Sequence, residues 1–280
     1  KDYISEEMIG DIRGMWGMYD TDTDIDTAET TNDVSIKNLN LTANNANSTG
    51  FTSTSGIRGE GITFDGTDDY FSRADDASLS FSNNTMSAGY WIKRNGNPSS
   101  AEYIILKGIT TWEYMSAITT AGKAFLTLLT SVGGTVATVT SNSSVTDNNW
   151  HHVAFTSNGS TISVYVDGVL DNSSTSFSSA MTNTASSFYI GDRSDIANSE
   201  FQGSLHELMI TGTALSSNQV RNIYQVGYRA LQSHDTGLSS GTADGNQALA
   251  GASNNIGVVA PDYNNQYMYV GTNHTTDGAL

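Results

Sequence analysis

Two histidines stand side by side in Trp150-His151-His152-Val153-Ala154-Phe155, in a chain that holds only five. Imidazoles so close together could ligate a metal or pass a proton. Adjacent residues of an extended strand point to opposite faces, so His151 and His152 cannot readily close on one ion. No HExxH or HxH spacing occurs elsewhere. The reading is structural, with one histidine packed near the core and the other near solvent.

A second candidate is Asp20-Thr21-Asp22-Thr23-Asp24-Ile25-Asp26, where Asp20, Asp22, Asp24 and Asp26 alternate. Hard carboxylate oxygens at this density suit Ca²⁺. The run is no EF-hand, because Ile25 stands where glycine is required and Thr31 where the bidentate glutamate belongs. Its other reading is a solvated acidic loop. A third candidate is the pair Trp112 and Tyr114, two apart in an expected strand and so on one face. If exposed, they are glycan-binding rings that stack on the apolar CH faces of sugars; burial is the alternative. Glycoside hydrolysis needs paired carboxylates projecting from one strand, and no Glu-x-Asp-x-Glu pattern is present. Nor is there a Gly-x-Ser-x-Gly nucleophile turn. No catalytic residues are assigned, and no enzyme activity is expected.

The elements that must position these residues are strands. Ile162, Val164 and Val166 alternate with Ser163 and Tyr165, the period of a half-buried strand. Asn158-Gly159 and Asp167-Gly168 supply tight turns on either side of it. Similar short runs recur at 12–19, 62–64, 86–93, 103–106, 114–119, 124–129, 135–140, 187–190 and 205–211. Regular short strands joined by turns mean a sandwich or barrel. Ser5-Glu6-Glu7-Met8 is a possible helix start. One helix is firmly signalled after Ser216, with Gln219 in the capping-box position and Val220, Ile223 and Tyr224 as its apolar stripe. Residues 232–255 are small and polar like a linker, and two further strands follow at 256–259 and 267–270.

Composition narrows the function classes. The 280 residues include 29 acidic and 12 basic side chains, a formal charge of −17. Such a surface repels phosphate backbones, which argues against nucleic acid as a partner. No cysteine is present, so disulfides and thiolate zinc sites are excluded. No apolar run is long enough to span a membrane as a helix, and no membrane insertion is expected. The sequons at Asn40, Asn84, Asn142 and Asn273 are what chance gives in a chain so rich in Asn, Ser and Thr. The chain begins at Lys1, as a fragment or a processed product would.

Several motifs then fall in order: Phe64-Asp65-Gly66-Thr67-Asp68-Asp69-Tyr70, Ser87-Ala88-Gly89-Tyr90-Trp91-Ile92-Lys93, the Trp150–Phe155 strand, and Tyr165-Val166-Asp167-Gly168. Ile190-Gly191, Phe201-Gln202-Gly203 and Ala214-Leu215-Ser216 follow, and Asp33-Val34-Ser35 with Asn38 and Leu39 lies upstream. Over residues 12–226 this series resembles the laminin G-like domains of the concanavalin A-like lectin/glucanase superfamily, in their bacterial and phage form. The resemblance implies an all-β, two-sheet antiparallel jelly-roll sandwich, usually not an enzyme. With the one short helix it covers a domain placed over 1–228; the last fifty residues lie outside it, and the shift to small polar residues after Tyr228 makes 229–280 a linker and the start of a second β module. Many relatives carry a structural calcium held by an aspartate in the last strand. His206 stands at that position here, which puts that calcium site in doubt.

The function this implies is a non-catalytic structural or adhesive module facing glycans. It would sit on a phage virion appendage (tail fibre or capsid decoration) or a bacterial surface protein, outside the cell or on the virion. Expected partners are cell-surface glycan or neighbouring structural subunits, and the module is expected to be a homo-oligomer. The alternative is a carbohydrate-binding accessory domain of a secreted glycoside hydrolase.

Overall fold

A computed structural model describes residues 10–18, 30–44, 51–57, 59–81, 83–192, 198–235, 256–261 and 268–272. The aspartates at 20, 22, 24 and 26 and the Ser5–Met8 segment lie outside the described residues. Two eight-stranded antiparallel sheets pack face to face. The first runs in spatial order β14 (Val169–Ser174), β13 (Ile162–Val166), β12 (Asp147–Asn158), β7 (Thr85–Asn95), β16 (Gln202–Thr211), β5 (Glu60–Asp65) and β4 (Thr52–Ser55). Strand β1 (Ile12–Trp16) also pairs with β16. The second runs β11 (Thr135–Ser144), β10 (Lys123–Leu129), β9 (Tyr114–Ile118), β8 (Glu102–Lys107), β15 (Phe188–Ile190), β6 (Tyr70–Arg73), β3 (Leu41–Asn44) and β2 (Thr30–Thr31). This is the expected antiparallel sandwich.

The turns form as their residues require. Between β13 and β14, Asp167 and Gly168 both have positive φ, 51° and 74°, and Val166 pairs directly with Val169. That is the mirror-image turn whose twist suits a tight hairpin. At the β12–β13 turn only Gly159 takes positive φ, while the Asn158 side chain accepts from the backbone of Ser160 and Thr161. Asp33 ties the N-terminal segment down, accepting from the backbone N–H groups of Met15, Ser35 and Leu39 and from the Ser35 hydroxyl.

Three apolar layers follow from strand parity. Between the sheets lie Trp16, Phe64, Phe71, Tyr90, Val153, Phe155, Ile162, Val164 and Phe188, among others. Trp16 stacks on Phe188 at 5.4 Å and donates its indole N–H to the Leu39 carbonyl. On the outer face of the first sheet, Ile12, Ala154, Tyr165 and Met209 pack with Leu215 and Val220, under helix α1 (Ser217–Asp235). Its capping box is formed: Gln219 N–H donates to Ser216 Oγ, and Ser216 N–H donates back to Gln219 Oε1. Trp91 is buried on this outer face, stacked 5.7 Å from Tyr224 of α1, rather than between the sheets. The third layer, on the outer face of the second sheet, holds Tyr103, Leu106, Met115, Ala117 and Leu129.

Contacts divide the chain into two compact units, Lys1–Tyr228 and Arg229–Leu280. In the second, β17 (Ile256–Pro261) and β18 (Met268–Thr272) pair antiparallel, with Val259 opposite Val270. No helix among the described residues is long and apolar enough to cross a membrane.

Candidate functional site

The histidine pair resolves into two unrelated structural roles. On β12, His151 places Nδ1 2.8 Å from Asp167 Oδ2 and Nε2 2.9 Å from Asp147 Oδ1. Both ring nitrogens face carboxylates, so neither is turned toward a serine, and the Asp167 hydrogen bond raises the pKa above its ordinary value. His152 points the other way, 5.2 Å from the Trp91 ring and 6.3 Å from that of Tyr224. It is 3 % exposed, its Nδ1 has no hydrogen-bond partner, and burial pushes its pKa down to about 4. A cavity of about 10 Å³ beside it, lined by Trp91, Met209 and Ile223 among others, has room for at most one water molecule.

His206, at the position where the resemblance implied an aspartate, is buried on β16. The Ile57 N–H donates to its Nδ1 at 3.3 Å.

Trp112 and Tyr114 do not share a face. Trp112 lies in the turn before β9, half-buried against the outer layer of the second sheet. Tyr114 opens β9, is fully buried between the sheets, and donates its hydroxyl to the Leu79 carbonyl. The expected pairing assumed a strand that had begun two residues too early. Tyr114 is therefore corrected from a glycan contact to a core residue, and Trp112 remains at the surface.

The outer face that Trp112 adjoins carries a broader set of rings. One cross-strand row runs Thr42, Ser72, Tyr189, Leu106, Met115, Thr127 and Thr138. A second runs Tyr103, Ala117, Phe125 and Thr140. Tyr70, opposite Asn44, lies 6.2 Å from Tyr189. Tyr70, Trp112, Phe125 and Tyr189 are each partly exposed. Burial first, then the charge of Asp192, raises the Tyr70 pKa. Among the described residues no helix lies on this face, since α1 packs on the other sheet. Sequence parity could have found Tyr189 and Phe125. Tyr70 was hidden because β6 has too few alternating apolar residues to announce a strand.

The glutamates near this sheet are tied up in ion pairs. Glu102 takes a bidentate fork from Arg94, at 2.8 and 2.5 Å, with both side chains nearly buried. Glu113 is wholly buried, 3.5 Å from Lys107 Nζ, and accepts from Ser80 and Thr184. Lys107 also reaches Asp75 at 2.6 Å. At the edge of the aromatic face, the turn joining β5 to β6 brings Asp65, Asp68 and Asp69 together. Burial, and then its two acidic neighbours, push the Asp69 pKa up to about 6, against the pull of the Asp65 N–H.

With this geometry, comparison with known proteins is informative. Among solved structures, the binding domain of Paraclostridial Mosquitocidal Protein 1 superposes with a TM-score of 0.61 at 14% identity, covering 78% of this chain and 53% of that one. The botulinum neurotoxin serotype D binding domain gives 0.60 at 14% identity, covering 77% and 52%. This chain thus spans about half the length of those toxin domains. Domain 4 of AbnA, an extracellular GH43 arabinanase from Geobacillus stearothermophilus solved with arabinotriose, gives 0.55 at 19% identity, covering 78% of this chain and 100% of that one. Identities this low establish a shared fold. No curated protein sequence matches significantly. The laminin G-like sequence pattern of the concanavalin A-like lectin/glucanases superfamily matches residues 65–221. That span exceeds half of the chain and takes in both sheets, and the chain belongs to this family.

Proposed function

We propose that this domain is a non-catalytic carbohydrate-binding module that acts outside the cell and holds its ligand on the outer face of the second sheet. The observation that carries this is the set of partly exposed rings, Tyr70, Tyr189, Phe125 and Trp112, on a face that no described helix covers. Aromatic faces stack on the CH faces of pyranose and furanose rings, and the exposed Thr138 hydroxyl, already paired with that of the buried Thr127, has capacity left to bond a sugar hydroxyl. Glu102 and Glu113 are engaged by Arg94 and Lys107, so they do not form the spaced carboxylate pair that hydrolysis requires.

The setting we favour is an adhesive module on a virion appendage or a bacterial surface protein. Residues 229–280 would then connect it to another module or a neighbouring subunit in a homo-oligomer. The full-length correspondence with an arabinanase domain favours a second setting, an accessory domain of a secreted hydrolase.

A glycan array probed with the wild-type chain and with Tyr189→Ala tests the binding face. Selective glycan binding that the substitution abolishes is the expected result; binding unchanged by Tyr189→Ala and Phe125→Ala would overturn the assignment. Light scattering of the same protein separates the settings, an oligomer favouring the first and a monomer the second.

A further inference from the structure

The turn between β5 and β6 reads Asp65-Gly66-Thr67-Asp68-Asp69, and it places three carboxylates on one spot. One oxygen from each of Asp65, Asp68 and Asp69 lies within 4.8 Å of the other two. Oxygens bound to one calcium at 2.3–2.6 Å can stand at most about 5 Å apart, so the three fit a single coordination sphere.

Crowded acids alone would be unremarkable on so acidic a chain. Asp69 is different. It is 1 % exposed, and its Oδ2 accepts the Asp65 N–H at 2.9 Å. Its Oδ1 is buried with no hydrogen-bond partner. A buried carboxylate oxygen left without a donor is costly unless a proton or a cation meets it, and two further carboxylates beside it favour the cation. The turn is held in shape by its own backbone: Gly66 takes a φ of 78°, and the Thr67 N–H donates to Asp65 Oδ1 at 2.7 Å. Asp68 is partly exposed and Asp65 exposed, which leaves an approach from solvent.

We propose that the Asp65, Asp68 and Asp69 turn binds a calcium ion. An all-oxygen, all-carboxylate donor set, with no imidazole or thiolate, selects a hard cation over zinc or copper. The exposed side of the turn leaves the remaining coordination to water, which suits a modest-affinity extracellular type of site. The ion would also have a structural consequence. Asp69 immediately precedes Tyr70, whose ring lies beside Tyr189 on the aromatic face. Fixing Asp69 therefore fixes the start of β6 and the position of that ring. The metal site itself stands whatever ligand the face takes.

The test uses the full chain, stripped with EDTA and titrated with CaCl2 by calorimetry, with MgCl2 as the comparison and Tb³⁺ luminescence as a second readout. Three variants are compared: Asp68→Asn, Asp65→Asn, and a chain with Asp20, Asp22, Asp24 and Asp26 all changed to Asn. The expected result is saturable calcium binding with a Kd on the order of 0.1–1 mM. Asp68→Asn or Asp65→Asn should weaken it roughly tenfold or more, as loss of one charged ligand does in such sites. The fourfold variant should retain it. Melting curves without calcium establish that each variant folds, and two single variants guard against one failing to do so. No saturable binding by about 10 mM calcium overturns the proposal, given the range of such sites. So does binding that both single variants keep, or that only the fourfold variant loses.

Discussion

His152 should make the sandwich lose stability as the pH falls from neutrality. In the folded chain it packs against both Trp91 and Tyr224, which stack on each other, and burial holds its pKa at about 4. An unfolded chain takes up this proton near pH 6.5. Between those values the unfolded state binds more protons than the folded one, so stability rises with pH across the window. A gap from 6.5 to about 4, at about 1.4 kcal/mol per pH unit, amounts to about 3 kcal/mol by the acid end. His151 works in the opposite sense. Its pKa is raised, chiefly by the Asp167 hydrogen bond, so its contribution is fully present below about pH 6.5 and is lost as pH rises through the folded value. His152→Phe keeps an aromatic ring against Trp91 and Tyr224 and removes the proton site. The assay is urea unfolding of wild type and variant at a series of pH values from 7 to 4. The absolute stabilities can differ; the quantity of interest is how their difference changes with pH. It should move by about 3 kcal/mol in favour of the variant on acidification. Parallel stability curves would refute the reasoning, since they would mean that His152 titrates alike in both states.

Other substitutions separate the binding face from the frame. Tyr189→Ala and Tyr70→Ala should each weaken glycan binding by about 1 kcal/mol, roughly fivefold, on the scale of a lost aromatic contact. Tyr114→Phe should leave array binding intact and lower stability by about 1 kcal/mol through the lost Leu79 hydrogen bond. Arg94→Leu strands the nearly buried Glu102 carboxylate and should cost about 3–5 kcal/mol in urea unfolding, much of it recovered when Glu102→Leu is added. Gly168→Ala would put a Cβ 2.8 Å from the Tyr224 ring at a φ of 74°, and should lower the unfolding free energy by more than about 1 kcal/mol, read as a lower urea midpoint.

The parts of the fold written in side-chain alternation and turn chemistry were legible. Ile162, Val164 and Val166 named β13, Asp167-Gly168 named the hairpin that follows, and Ser216 with Gln219 named the start of α1. What stayed hidden depended on partners distant in the chain. Thr52-Ser53-Thr54-Ser55 has no apolar residue to mark it, and it is a strand only because β5 supplies its hydrogen bonds. Trp91 could be read as buried, but which side of the sheet buries it was decided by α1. Tyr114 was misassigned because its parity depends on where β9 begins, and the turn around Trp112 sets that. The Asp65–Asp69 turn was visible as a family motif, while the burial that distinguishes Asp69 from its acidic neighbours was not.

Along β8 the register slips between Tyr103 and Ile105, so that Ile104 and Ile105 both enter the core while Tyr103 and Leu106 both face outward. Two vocabularies therefore share this strand without alternating strictly. Residues that face inward answer to Trp16, Phe71 and Phe188, while Tyr103 and Leu106 answer to a layer of their own, buried with Met115, Ala117 and Leu129 and packed against the partly exposed rings of Trp112, Phe125 and Tyr189. Substitutions at those partly exposed rings can retune recognition while the core between the sheets remains untouched. An insertion or deletion within β8 has no such freedom, because it would exchange the two sets at a stroke. Relatives of this domain should accordingly diverge in the rings they display far more readily than in the length of this strand.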